Sequence, residues 1–142
     1  MWDSAGNNWR STYNQGTFLG AAIMLYEKYG TQQYYDDACN VMANTVKHLC
    51  YNNILKEENT NSGDLSGMRG ILMRYMRKFI VDFNKGEYLS FFKDNARVAW
   101  MNSNSKGIMQ CSWQKKASED ATWDSFAAYN LSLIHISEPT RH

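Results

Sequence analysis

Hydrophobic residues along the chain fall into four runs of helical spacing, separated alternately by short turns and long polar stretches. In the first run Phe18, Leu19, Ala22, Ile23, Leu25, Tyr26 and Tyr29 are apolar around most of a helix circumference, and Gly30 follows as a stop. That pattern predicts a buried inner helix over 16–29. From 32 to 50 the repeat Ala38, Val41/Met42, Thr45/Val46, Leu49/Cys50 keeps a polar back. One apolar stripe at a 3.6-residue period predicts an outer helix covering the first.

The same pair then recurs. Met68, Ile71, Leu72, Tyr75, Met76, Phe79, Ile80 and Phe83 predict a second inner helix over 67–83. After the Asn84-Lys85-Gly86 turn, Tyr88, Phe91/Phe92, Asn95/Ala96 and Ala99 predict a second outer helix over 87–101. Residues 51–66 and 102–121 read as long polar loops, and Trp123 to Asn130 opens a third inner helix. No segment alternates long enough to argue a sheet. Short turn, long loop, short turn, long loop is the rhythm of stacked helical hairpins, here with a period of about 50 residues.

That rhythm has a geometric consequence. Short turns join inner helices to outer ones at one end, so every long loop returns to the N-termini of the inner helices. Tyr13-Asn14-Gln15, Gly63 to Gly70, and Gln110 to Trp113 with Asp120 and Asp124 are therefore expected on one rim. Tyr13 offers a ring face and a hydroxyl, and Asn14 and Gln15 each offer donors and acceptors. Gly16 permits close approach of a backbone or ligand, and Asn14 is expected to cap the helix. Nothing in Tyr13-Asn14-Gln15-Gly16 is charged, which suits a neutral polyhydroxylated ligand better than an anion.

Composition narrows the alternatives. A net charge of +1 gives no reason to invoke nucleic acid or a membrane surface. The aromatic share of 14%, with five Trp and nine Tyr, supplies either core or sugar-stacking faces. Cys39, Cys50 and Cys111 form no CxxC, so no metal site is expected. The chain start carries no basic and apolar run of a signal peptide. Residues 131–142, beginning Leu131-Ser132-Leu133-Ile134-His135, read as translated sequencing adapter and are set aside from fold reasoning. The expected domain is therefore 1–130, and its one histidine, His48, reads as an ordinary helix-face residue.

The Tyr13-Asn14-Gln15-Gly16 start, followed by TFLGAAIMLYEKYG, resembles that of glycoside hydrolase family 76, the endo-α-1,6-mannanases. Gly70-Ile71-Leu72-Met73-Arg74-Tyr75 is similar to a second helix start of that family, and the resemblance covers nearly all of Asp3 to Asn130. It implies an all-α fold, a partial (α/α)6 toroid with about five of its twelve helices present. It also implies a glycosidase acting on α-1,6-linked mannan, a polysaccharide partner, no cofactor, and an extracellular, periplasmic or cell-surface location. Tyr13, Asn14, Gln15 and Gly16 are the substrate-binding candidates it points to, and Arg69 joins them from its expected place on the rim. The family's adjacent aspartates lie in a tryptophan-rich stretch that does not occur here. This chain is therefore expected to carry no catalytic pair and to be inactive alone.

A glycosidase needs two carboxyls roughly 5–10 Å apart. Asp36-Asp37 is the tempting substitute, but it falls at the start of an outer helix, away from the rim, where acids favour the helix dipole. Asp64, Arg69, Asp120 and Asp124 each fit a cap or surface ion pair as well as a rim ligand. Trp9, Trp113 and Trp123 each fit a core plug with a satisfied N–H as well as a stacking platform. Lys115-Lys116 is a solvated pair, and no histidine stands near the rim to activate a Ser or Cys nucleophile. The competing reading is a non-catalytic helical-repeat module that binds glycan or protein.

Overall fold

The computed structural model describes residues 11–56, 68–110 and 112–121. Its main elements are four α-helices: α1 (Thr12–Tyr29), α2 (Gln32–His48), α3 (Met68–Asp82) and α4 (Leu89–Met101). The fold is all-α in class and forms part of an (α/α)6 toroid. α1 and α3 bear the most burial, as the alternation of apolar and one-sided helices predicts. α2 buries one stripe, Ala38, Val41, Met42 and Thr45, and α4 another, Phe91, Phe92, Asn95 and Ala99.

α1 and α3 lie side by side and run in the same direction. Gly16 meets the backbone of Leu72, Gly20 meets the ring of Tyr75, and Tyr26 meets Phe83, in the same order along both helices. The two glycines, one turn apart, remove the side chains that would hold these helices apart. A Cβ on Gly16 would stand 2.7 Å from Leu72 Cα, and one on Gly20 would stand 2.6 Å from Tyr75 Cε1. Leu19, Ile23, Leu72, Met73, Met76 and Phe79 then interdigitate in the core.

Short turns reverse the chain at the far end of the inner helices. Gly30 takes a left-handed conformation with φ 67°, and its N–H donates to the Tyr26 carbonyl at 2.8 Å. Asn84 plays the corresponding part with φ 53°, ahead of a single 3-10 turn at Gly86–Tyr88. Tyr26, Tyr35, Phe79, Phe83 and Tyr88 pack around these turns, with ring centroids 5.4 to 6.5 Å apart. The Lys85 ammonium lies 4.9 Å from the Tyr35 ring centre. Its hydrogen bond to Tyr35, helped by Cys39, holds its pKa above the usual lysine value.

Several expectations are corrected. α1 begins at Thr12, not Gly16, and its N-cap is Ser11 rather than Asn14. The Ser11 Oγ accepts from the Asn14 N–H at 3.1 Å, so Asn14 is already inside the first turn. α1 is not covered on every side: Met24, Leu25 and Tyr29 are exposed, because α2 and α3 occupy only part of its circumference. The stretch after α2 is not wholly loop. Cys50–Tyr51 (β1) and Ile54–Leu55 (β2) form a two-residue antiparallel hairpin, pairing Cys50 with Leu55 and Tyr51 with Ile54. Asn52 and Asn53 make its turn, with φ 48° and 66°, a region asparagine tolerates better than most residues. The expected third inner helix at Trp123 to Asn130 lies outside the described residues.

Candidate functional site at the start of the inner helices

The first turn of α1 separates its polar tetrapeptide into two directions. Ser11 is extended, with φ −101° and ψ 153°, and ends the preceding chain, while its carbonyl accepts from the Gln15 N–H at 3.2 Å. Successive helical residues then point about 100° apart. Tyr13 is 40% exposed and Asn14 half-buried. Gln15 is only 2% exposed, and Gly16 faces Leu72. The cluster legible as one motif therefore presents an outward pair and an inward pair.

Arg69 stands one turn before Leu72, the residue that Gly16 faces, and is 2% exposed. Its Nη2 donates to the Lys56 carbonyl at 2.5 Å, and its guanidinium lies 5.7 Å from the Trp113 ring centre. Lys56 follows directly on β2, and the Gln114 side-chain amide donates to the Leu55 carbonyl at 3.0 Å. The loop after α4 is drawn in as well: Asn102 Nδ2 donates to the Trp113 carbonyl, and the Ala117 N–H to the Asn102 carbonyl, both at 2.8 Å. The starts of α1 and α3, the end of the hairpin and residues 112–117 thus share one end of the fold, as the loop rhythm predicts.

Asn95 anchors the hairpin from the outside. Its side chain is fully buried, accepts from the Leu55 N–H at 2.9 Å, and donates to the carbonyls of Asn53 and Phe91. Burial is unusually polar at this rim: Ser11, Thr12, Gln15, Arg69 and Ser112 are all buried there. Trp113 is 1% exposed and packs in the core, the first of its two expected readings, and its indole N–H has no acceptor among the described residues.

The adjacent aspartates lie elsewhere. Asp36 and Asp37 sit in the second turn of α2, not the first, at the end of the fold opposite Tyr13. Each accepts from the glutamine amide four residues earlier, Gln32 and Gln33, at 2.9 Å. They are helix-surface groups rather than caps. Asp120 is exposed beside Glu119, whose carboxylate accepts from Ser105, an interaction that lowers its pKa. Asp64, Asp124, Cys111, Trp9 and Trp123 lie outside the described residues.

Three further features bound the chemistry. Cys39 and Cys50 are free thiols, and burial pushes the Cys50 thiol up to about 11 despite the opposing charge of Lys56. Among the described residues, no group of three or more His, Cys, Asp or Glu side chains could hold a metal ion. No helix among them is long and apolar enough to cross a membrane.

Comparisons with known proteins agree with this geometry. The model of glycosyl hydrolase family 76 matches residues 3–138, running into the segment that resembles adapter sequence. No curated protein matches the chain. The Lin0763 protein of Listeria innocua superposes with a TM-score of 0.77 and 25% identity, over 96% of this chain and 41% of that one. The α-1,6-mannanase GH76A of Salegentibacter sp. HEL1_6 superposes with a TM-score of 0.74 and 28% identity, over 92% of this chain and 39% of that one. An inactive variant of that mannanase, with two adjacent aspartates replaced by asparagine, was solved in complex with α-1,6-mannotriose at the same TM-score. The chain therefore spans about two-fifths of the length of these structures.

Proposed function

The chain belongs to glycosyl hydrolase family 76, and on that premise we propose that it forms one wall of a cleft for α-1,6-linked mannan. The observation that carries this reading is the gathering of the α1 and α3 starts with two loops at one end, where Tyr13 stands exposed. A neutral glycan needs ring faces and hydrogen-bonding groups more than charge, and Tyr13 and Asn14 offer both. Gln15, Gly16 and Arg69 lie beneath them and complete the wall from within. The substrate of the mannanase neighbour, captured as a trisaccharide complex, supports the choice of sugar.

In this reading the tetrapeptide binds and orients but does not transfer protons. Tyrosine titrates near 10 and side-chain amides do not titrate, so neither serves as acid or base near neutral pH. The two carboxyls that glycoside hydrolysis requires belong to other parts of the longer enzyme, and Asp36 and Asp37 are not among them. The chain alone releases no reducing sugar from α-1,6-mannan, and its location is outside the cytoplasm, as resemblance to the family implies. Incubating it with the polysaccharide and measuring reducing ends tests this. Release at an enzymatic rate, abolished by Asp36→Asn or Asp37→Asn, would overturn the assignment.

A further inference from the structure

Arg69 combines a full charge with near-complete burial, and its contacts include a carbonyl and a ring. Its Nη2 hydrogen-bonds the Lys56 carbonyl, and its guanidinium lies over the Trp113 ring, 5.7 Å from its centre. A planar, always charged fork presents a rigid set of donors and a stacking face together, where a lysine ammonium offers only a compact point charge. Lys56 and Trp113 belong to the two loops that return to the rim, and Gln114 ties those loops to each other through Leu55.

We propose that Arg69 is a positioning residue: it fixes the Lys56 carbonyl and the Trp113 ring against the start of α3, and does not itself touch the glycan. This deepens the proposed function and rests on that reading for the identity of the ligand. Exposed Tyr13 and half-buried Asn14 are the groups that meet sugar, while Arg69 sets the floor beneath them. A charge-assisted hydrogen bond from a buried guanidinium to a carbonyl is among the stronger polar contacts available. One side chain can therefore hold two loops that share no covalent restraint.

The test compares the full chain with its Arg69→Lys and Trp113→Phe variants by amide hydrogen exchange without sugar, and by titration with α-1,6-mannotriose. Arg69→Lys is expected to speed exchange at least tenfold at Leu55, Lys56 and residues 112–117, with Ala38 to Thr45 in α2 unchanged. Trp113→Phe is expected to move the same amides by less, and it carries the comparison should Arg69→Lys fail to fold. Loss of trisaccharide affinity in Arg69→Lys with sugar-free exchange unchanged would overturn the proposal in favour of direct contact. Faster exchange throughout α2 would overturn it in favour of a general folding role. If wild type binds no trisaccharide, the mannan reading fails, while the sugar-free exchange still decides the role of Arg69.

Discussion

Replacing Gly16 with alanine adds one methyl group at the closest approach in the fold. The new Cβ would lie 2.7 Å from both the Cα and the N of Leu72 and 3.0 Å from the carbonyl carbon of Ile71. All three are backbone atoms in or next to the core of α3, so no side chain can swing aside. Ordinary contact begins at 3.4 Å, so α1 and α3 must part by about 0.7 Å, the difference between 3.4 and 2.7. A gap of that size forfeits roughly a quarter to a half of the dispersion energy of the contacts it opens. Overpacking of this kind costs about 1–3 kcal/mol. Alanine returns about 0.5–1 kcal/mol through the lower entropy of the unfolded chain and its helix propensity. The expected net loss is about 1–2 kcal/mol, read from the midpoint of equilibrium unfolding in urea by circular dichroism. Gly86→Ala is the internal control. An added Cβ there meets nothing within 4 Å and its φ is not positive, so that variant should be neutral or slightly stabilised. Equal stability of Gly16→Ala and Gly86→Ala would refute the close-packing account of the α1–α3 interface.

Three further outcomes are expected. Asn95→Ala leaves the buried Leu55 N–H without its acceptor and should cost about 1–3 kcal/mol, with amide exchange at Leu55 rising before the helices open. Lys78→Ala removes contacts to Glu27 and Asp82 from a partly exposed surface, and should change stability by less than about 1 kcal/mol despite a raised lysine pKa. The Cys50 thiol, raised in the folded state to about 11 from 9.0, binds its proton more tightly than in the unfolded chain. Its contribution is therefore complete below about pH 9 and lost as pH rises toward 11. The difference in unfolding free energy between wild type and Cys50→Ala should follow that window, and a difference constant from pH 7 to 11 would contradict it.

The helices were legible because packing and periodicity agree in them. The stripe Ala38, Val41, Met42, Thr45 is the face α2 buries, and Gly30 stops α1 by the left-handed turn its position suggests. The start of α1 was misread because Ser11-Thr12 carries no apolar signal, while the tetrapeptide after it resembles a loop. The hairpin escaped notice because two residues per strand cannot show alternation, and Asn52-Asn53 is a weaker turn signal than Asn-Gly. At the rim, neighbours in sequence diverged in space. Tyr13 and Gln15 belong to one motif, yet helical rotation exposes the first and buries the second. Arg69 gave the opposite difficulty. Its partners Lys56 and Trp113 lie on separate loops, and only the fold brings them together.

In the proposed function the glycan lies at the start of α1, at the end of the fold opposite Asp36 and Asp37. Titrating the isotopically labelled chain with α-1,6-mannotriose while following backbone amide resonances tests that placement directly, even at millimolar affinity. Shifts are expected to concentrate at Ser11 to Thr17 and residues 112–114, and Tyr13→Ala to weaken them without altering the remaining spectrum. Shifts centred on Gln32 to Asp37, or no shifts at saturating sugar, would contradict that placement.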